Sequence, residues 1–157
     1  MARKINSRQI KQPQKRVIGA GITEFWYLKH LKPLLGFVYE MKPRYFGNES
    51  MDNINKLIDE GLTDGAEVIC FFDEDVSQWN PEEGRQIKEL HRKYDNNERI
   101  TLACSMPSIE YWFLLHYEKT NRHLRTSADA INALHKYIAQ FDKKEKFLKQ
   151  EKWVAEL

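Results

Sequence analysis

The residues with the clearest chemical potential are three consecutive acids, Asp73, Glu74 and Asp75, which follow the apolar run 68–72. A short uninterrupted apolar run is typical of a strand that is buried on both faces of a parallel sheet. Ligands of open α/β sheets bind where such strands end. In an extended backbone Asp73 and Asp75 point the same way, so their carboxylates could hold one hard cation. The alternative is an acidic turn that only ends the strand.

Glu24 is a second acid that follows a predicted strand. The strand at 16–18 runs into the turn Gly19-Ala20-Gly21, and Thr23 is a candidate cap for a helix over 24–32 that ends at Pro33. Glu24 would lie in the first turn, where the helix dipole favours an anion. The dipole alone is therefore a sufficient structural reason for an acid at this position.

Glu110 and His116 belong to the stretch 105–117, which is apolar almost all round and contains Pro107 near its start. Such a pattern predicts a buried helix. A buried carboxylate is costly unless it is paired or bound to metal, so we expect Glu110 to support the site. The alternative is an acid near the helix start that reaches solvent. His116 could contact a phosphate or relay a proton, or it could simply bond to the backbone.

Strand and helix patterns alternate along the rest of the chain. Further strands are predicted at 37–42, 67–72 and 100–104, and further helices at 50–61, 81–94, 127–140 and 142–156. This alternation predicts an α/β layer fold with about four mostly parallel strands, flanking helices and a helical C-terminal extension. We divide the chain into a basic arm over 1–14, an α/β domain over 15–120 and the helical extension over 121–157.

Composition narrows the class of protein. The 157 residues fit one domain, and the net charge of +2 means that nucleic-acid affinity must come from local patches such as the basic arm. Cys70 and Cys104 are far apart and form no CxxC spacing, which favours reduced core thiols over a disulfide or a zinc site. We find no membrane span and no secretory signal, so we expect a cytoplasmic protein without membrane contact.

Three stretches, 19–24, 71–75 and 105–116, resemble in order and spacing the RloB family of Toprim-fold proteins from bacterial phage-defence and restriction-associated loci. The resemblance covers about 15–118 and implies a Toprim-like Rossmannoid fold with a metal-dependent nuclease site. Asp73 and Asp75 match the pair that holds Mg²⁺ or Mn²⁺. Glu24 matches a further ligand or orienting acid, and Glu110 and His116 match the acid and the histidine of the third motif.

Position 20 departs from this family pattern. The resemblance implies a Glu there as general acid/base or metal ligand, facing Asp73 and Asp75, whereas this chain has Ala20. Either the site is degenerate or Ala20 is an inactivating substitution. The intact remainder of the motifs favours the substitution, and hence a nuclease that is inactive in this form.

Two other functions remain open at this stage. The run 71–76 also resembles the Asp-x-Asp strand end of haloacid-dehalogenase-type phosphatases, where the first Asp is a nucleophile. That motif normally opens its fold, whereas two strand–helix units precede it here. The other candidate is a catalytically dead Toprim module that binds nucleic acid or a defence partner protein. Nucleic acid, such a partner and a second copy of the chain are the expected partners.

Overall fold

The computed structural model describes residues 14–43 and 49–157, so nearly all of the predicted basic arm lies outside the described residues. Four parallel strands form one sheet in the order β2–β1–β3–β4. This arrangement confirms the predicted α/β class. The strands are β1 (Lys15–Gly19), β2 (Glu40–Lys42), β3 (Glu67–Asp73) and β4 (Ile100–Ser105).

The central position of β3, between β1 and β4, explains its apolar run. β4 is an edge strand with most of its residues half-buried, which differs from the core position that we expected for Cys104. Cys104 is accordingly only partly buried. β2 is shorter than expected, because Phe37 and Val38 are exposed and precede it.

Seven α-helices surround the sheet within 14–43 and 49–157. They are α1 (Ile22–Leu34), α2 (Met51–Thr63), α3 (Pro81–Tyr94), α4 (Ile109–Leu115), α5 (Ser127–Leu134), α6 (Glu145–Leu148) and α7 (Lys152–Ala155), and a 3-10 turn spans Asp75–Gln78. Ser50 and Asn80 cap α2 and α3 through side-chain oxygens that accept from Asn53 N–H and Glu83 N–H. α4 is shorter than the predicted 105–117, and the two predicted C-terminal helices are three short ones.

Three helix boundaries differ from the predicted ones, and at the first of them α1 does not end at Pro33 but continues through it to Leu34. Gly21, not Thr23, is the N-cap of α1, and Thr23 is buried inside the helix. α2 does not end at Gly61 but continues to Thr63. A Cβ at Gly61 would lie 2.6 Å from Val68 Cγ2, so this glycine allows α2 to pack closely on β3.

One apolar cluster lies on each face of the sheet. Val68, Cys70 and Phe72 alternate along β3 toward α2 and α3, where Ile58 and Leu90 complete the cluster. The other cluster joins α1 and α4 to the C-terminal segment through residues that include Phe25, Phe113, Phe141, Leu148 and Trp153. Phe71 on β3 packs against that second cluster. Because the cluster contains Phe141, Leu148 and Trp153, the segment 135–157 folds back over the α1 side of the sheet.

Trp153 is the residue on which this packing can be tested. It is 3% exposed, contacts the rings of Phe113 and Phe141, and donates from Nε1 to Leu148 O at 3.1 Å. We expect Trp153→Ala to lower the free energy of unfolding by about 3–5 kcal/mol in urea titrations. Trp79 is 59% exposed and is the matched control, with an expected change within about 0.5 kcal/mol for Trp79→Ala. Equal losses in the two variants would contradict this packing role.

Candidate functional site

Asp73 is the last residue of β3 and anchors the start of α4. The backbone N–H of Ile109 donates to Asp73 Oδ1 at 2.9 Å. Ile109 is the first residue of α4, whose early N–H groups have no partner within the helix. This bond fixes the Asp73 carboxylate beside the next acid on that helix, Glu110.

Glu110 is fully buried, as the apolar character of its helix predicted. The Ser108 hydroxyl donates to Glu110 Oε2, and Lys143 Nζ lies 3.1 Å from Glu110 Oε1. Lys143 belongs to the loop between α5 and α6, and its side chain is 39% exposed. A lysine from the C-terminal segment thus reaches a carboxylate that has no exposure of its own.

Glu24, in the first turn of α1, is the third acid of the site and is 5% exposed. Its carboxylate lies over the backbone of Gly21, where an added Cβ would come within 2.5 Å of Glu24 Oε2. The glycine therefore makes room for the acid. Any larger residue at position 21 would push the Glu24 carboxylate away from its present position.

Burial and like charge act together on these acids. Burial raises the pKa of Asp73 to about 8, with further contributions from the negative charges of Glu24 and Glu110. Burial likewise raises the pKa of Glu24 to about 7, and Glu110 adds to the shift. Lys143 opposes both shifts. Partial burial lowers the pKa of Lys143, but Glu110, Asp73 and Glu24 together raise it above its usual value.

Asp75 lies near this group but not in the way its spacing predicted. β3 ends at Asp73, Glu74 adopts a helical backbone conformation, and Asp75 begins the 3-10 turn. The expected extended arrangement of Asp73 and Asp75 was therefore wrong. Burial raises the pKa of Asp75, Lys143 counteracts this and Glu110 adds to it. Asp73 interacts more strongly with Glu24 and Glu110 than with Asp75.

Two other predicted site residues, Ala20 and His116, have side chains that pack outside the acidic cluster. The Ala20 N–H donates to Phe71 O at 3.0 Å, but its methyl group packs against the cluster on the α2 and α3 side of the sheet. His116 is exposed and packs edge-to-face on the Trp112 ring, with centroids 5.0 Å apart. Among the described residues, the structure does not group it with the carboxylates.

Lys143 is the site residue that the sequence did not reveal. It is one of several lysines in the segment 143–152, and neither its spacing nor its neighbours distinguish it from Lys144 or Lys146. Only the packing of Phe141 and Leu148 on α1 and α4 determines which of these lysines reaches Glu110. The assembled site is therefore Glu24, Asp73, Asp75 and Glu110, with one ammonium group beside them.

A comparison with protein families decides where the chain belongs. The family model described as RloB-like protein matches residues 17–155. The chain belongs to the RloB-like protein family. The match extends past the last of the three sequence motifs through α5 and α6 into α7, so Lys143 of this RloB-like protein lies within the matched residues.

Other comparisons add no relative. Neither the curated proteins nor the solved structures that were compared include a match to this RloB-like chain. None of the helices over 14–43 and 49–157 is both long enough and apolar enough to span a bilayer.

The pKa shift of Asp73 predicts a pH-dependent stability. Because its pKa is raised in the fold from 3.8 to about 8, the folded protein holds the proton more tightly than the unfolded chain. Stability is therefore lost as the pH rises through this window. Asp73→Asn keeps an oxygen for the Ile109 N–H and removes the charge. We expect its stability advantage over the parent protein to grow between pH 5 and pH 8 by about 1.4 kcal/mol or more, the equivalent of one pKa unit.

Thermal or urea unfolding at several pH values measures this difference. The exposed Glu60 provides the control, since Glu60→Gln should follow the parent protein across the same range. If the difference in unfolding free energy between Asp73→Asn and the parent protein stays constant from pH 5 to pH 8, burial and neighbouring charges do not destabilise the ionised Asp73 carboxylate.

Removal of the Lys143 charge should destabilise the folded protein, whereas removal of the Asp73 charge should stabilise it. We expect Lys143→Met to lower the free energy of unfolding at pH 8 by about 1–3 kcal/mol, because a buried carboxylate loses its counter-charge. Lys144→Met is the matched control, since Lys144 is 84% exposed and its ion-pair partner among the described residues is Asp142 at 3.3 Å. Addition of Asp73→Asn to Lys143→Met should recover part of the loss. Strict additivity of the two changes would contradict a shared site.

Proposed function

We propose that this RloB-like protein carries a Toprim-type carboxylate site for Mg²⁺ or Mn²⁺ that serves phosphodiester hydrolysis in bacterial phage defence, and that Ala20 leaves it inactive or nearly so. The observation that carries the proposal is the convergence of Glu24, Asp73, Asp75 and Glu110 at the carboxyl end of a parallel sheet. Ligands of open α/β sheets bind at this end.

The donor set fits a hard divalent cation. All four side chains offer carboxylate oxygens, which Mg²⁺ and Mn²⁺ prefer over nitrogen or sulfur. The raised pKa values of Glu24 and Asp73 indicate more buried negative charge than Lys143 alone balances. A bound divalent cation would add positive charge here, and it supplies charge stabilisation on phosphate oxygens and a lowered pKa for an attacking water.

The chain's own residues hold these carboxylates in fixed positions. The Ile109 N–H orients Asp73, and the Ser108 hydroxyl orients Glu110. Glu24 has a pKa of about 7, which suits a group that accepts and returns a proton near neutral pH. Without a Glu at position 20 this proton transfer is left to Glu24, at the low rate that we expect of the parent protein, and Asp73, Asp75 and Glu110 are the acids that remain to bind the cation.

A second candidate function is supported by Lys143. Its ammonium group lies 3.1 Å from Glu110 Oε1 and interacts with Asp73 and Glu24 as well. An internal cation of this kind stabilises an acidic cluster without metal. This observation favours a catalytically inactive module that binds nucleic acid, a defence partner protein or a second copy of itself.

Cation binding separates a metal site from a purely structural cluster. We expect calorimetry with Mn²⁺ to show binding in the parent protein that Asp73→Asn with Asp75→Asn abolishes and Glu60→Gln leaves unchanged. Lys143→Met should bind Mn²⁺ more tightly, because the lysine competes for the same carboxylates. Unchanged binding in the double variant, or no binding even in Lys143→Met, would rule out a cation site at these acids.

Activity is tested at position 20. We expect Ala20→Glu to cleave plasmid DNA, single-stranded DNA or total RNA with Mg²⁺ or Mn²⁺, and to lose this activity on addition of Asp73→Asn. A positioned acid/base contributes about 10²–10⁴-fold in rate, so the parent protein should be slower by that factor. Ala20→Gln is the matched control for size without the acid.

The remaining outcomes discriminate between the candidates. Equal inactivity of the parent protein and Ala20→Glu, with Mn²⁺ binding intact, would favour the binding module. Strong cleavage by the parent protein that Glu24→Gln removes would assign the proton transfer to Glu24 and show that no acid is needed at position 20.

A further inference from the structure

A second group of metal-ligand side chains lies next to the carboxylate site and is separate from it. Glu74, His91 and Cys104 each place one ligand atom within 4.8 Å of the other two. We propose that these three residues form a binding site for a transition-metal cation of the zinc class.

The two distances from His91 to the other ligand atoms are close to those of a tetrahedral shell. His91 Nε2 lies 2.8 Å from Glu74 Oε1 and 3.5 Å from Cys104 Sγ. Zinc bond lengths of about 2.0–2.3 Å place a nitrogen about 3.3 Å from an oxygen and about 3.6 Å from a sulfur in a tetrahedron. The nitrogen–sulfur spacing already agrees, and a shift of the Glu74 carboxylate by about 0.5 Å brings the nitrogen–oxygen spacing into agreement.

His91 is oriented as a metal ligand requires. Its Nδ1 lies 2.9 and 3.0 Å from the two oxygens of Asp95, the residue that follows the end of α3. A ligating histidine commonly donates its other ring N–H to a carboxylate, which fixes the ring and makes the free nitrogen a better ligand. The Asp95 contact thus leaves His91 Nε2 directed at Glu74 and Cys104.

The three ligands come from three different elements. Glu74 follows β3, His91 lies on α3, and Cys104 lies on the edge strand β4. The Glu74 N–H also donates to Ser105 O at 2.9 Å, which ties this segment to β4. Side chains of His91 and Glu74 are 31% and 32% exposed, so solvent can reach the cluster and a water can complete the shell.

The donor atoms of Glu74, His91 and Cys104 favour a different class of cation from the one that the carboxylate site favours. A thiolate, an imidazole and one carboxylate favour Zn²⁺ or Co²⁺ over Mg²⁺. Coordination requires the Cys104 thiolate and an unprotonated His91 Nε2, so binding releases their protons to solvent. The sequence predicted reduced thiols without zinc because it offers no CxxC spacing, whereas the fold brings Cys104 to His91 from another element.

This site would act on the carboxylate site by position. Glu74 is the residue between Asp73 and Asp75, and a cation that holds it would fix the backbone of that segment to α3 and β4. The alternative is a metal-free arrangement in which His91 bridges Glu74 and Asp95 as an ion-paired imidazolium. In the proposed metal site Cys104 binds the cation, whereas the metal-free arrangement does not require Cys104.

Cobalt titration of the chelator-treated full chain tests this difference. We expect Co²⁺ to give sulfur-to-cobalt charge-transfer absorption that Zn²⁺ displaces. Cys104→Ala should abolish it, while Cys70→Ala, which removes the chain's other cysteine, should retain it. Asp95→Asn should weaken Co²⁺ binding by about 10–100-fold. Asp73→Asn with Asp75→Asn should leave the absorption unchanged, which separates this site from the proposed Mn²⁺ site.

A second variant guards against misfolding of Cys104→Ala. His91 is half-exposed on α3, so His91→Gln should retain the circular dichroism of the parent protein while it loses tight Co²⁺ binding. Absence of charge-transfer absorption in the parent protein at saturating Co²⁺ would overturn the proposal. Its persistence in Cys104→Ala, or equal Co²⁺ affinity in His91→Gln, would overturn it as well.

Discussion

The burial of like charges at the carboxyl end of β3 is the constraint on which the rest of the site depends. Glu24, Asp73 and Glu110 are brought together from a helix start, a strand end and a second helix start, and each of the two helical acids is at most 5% exposed. Buried carboxylates repel one another in a medium of low polarity, and the raised pKa values of Glu24 and Asp73 express this cost. A structure of this kind persists only if other contacts compensate.

The compensation comes from both the backbone and the C-terminal segment. The Ile109 N–H and the Ser108 hydroxyl satisfy oxygens of Asp73 and Glu110, and Lys143 provides the counter-charge. The lysine can do so because Phe141 and Leu148, on either side of it in sequence, are buried in the cluster that also contains Phe25 and Phe113. The apolar packing of the C-terminal segment therefore determines where the counter-charge of the site lies.

The segment 73–75 connects two different environments. Asp73 faces α4 and the carboxylate cluster, whereas Glu74 turns toward His91 and Cys104. This division continues the alternation of side chains along β3, in which Phe72 packs on the α3 side of the sheet and Phe71 on the opposite side. One short acidic stretch therefore contributes carboxylates to both of the cation sites that we propose.

The sequence by itself determined the α/β class and the parallel sheet. It also determined the position of the acids after β3 and the burial of Glu110, because apolar runs, capping residues and proline act locally. It also carried the RloB-like motifs. The tertiary structure decided where Lys143, Ala20 and His116 lie relative to the acids. Many lysines surround residue 143, and only the packing of α6 and α7 chooses among them. The grouping of Cys104 with His91 likewise depends on an edge strand meeting α3, which no spacing along the chain encodes.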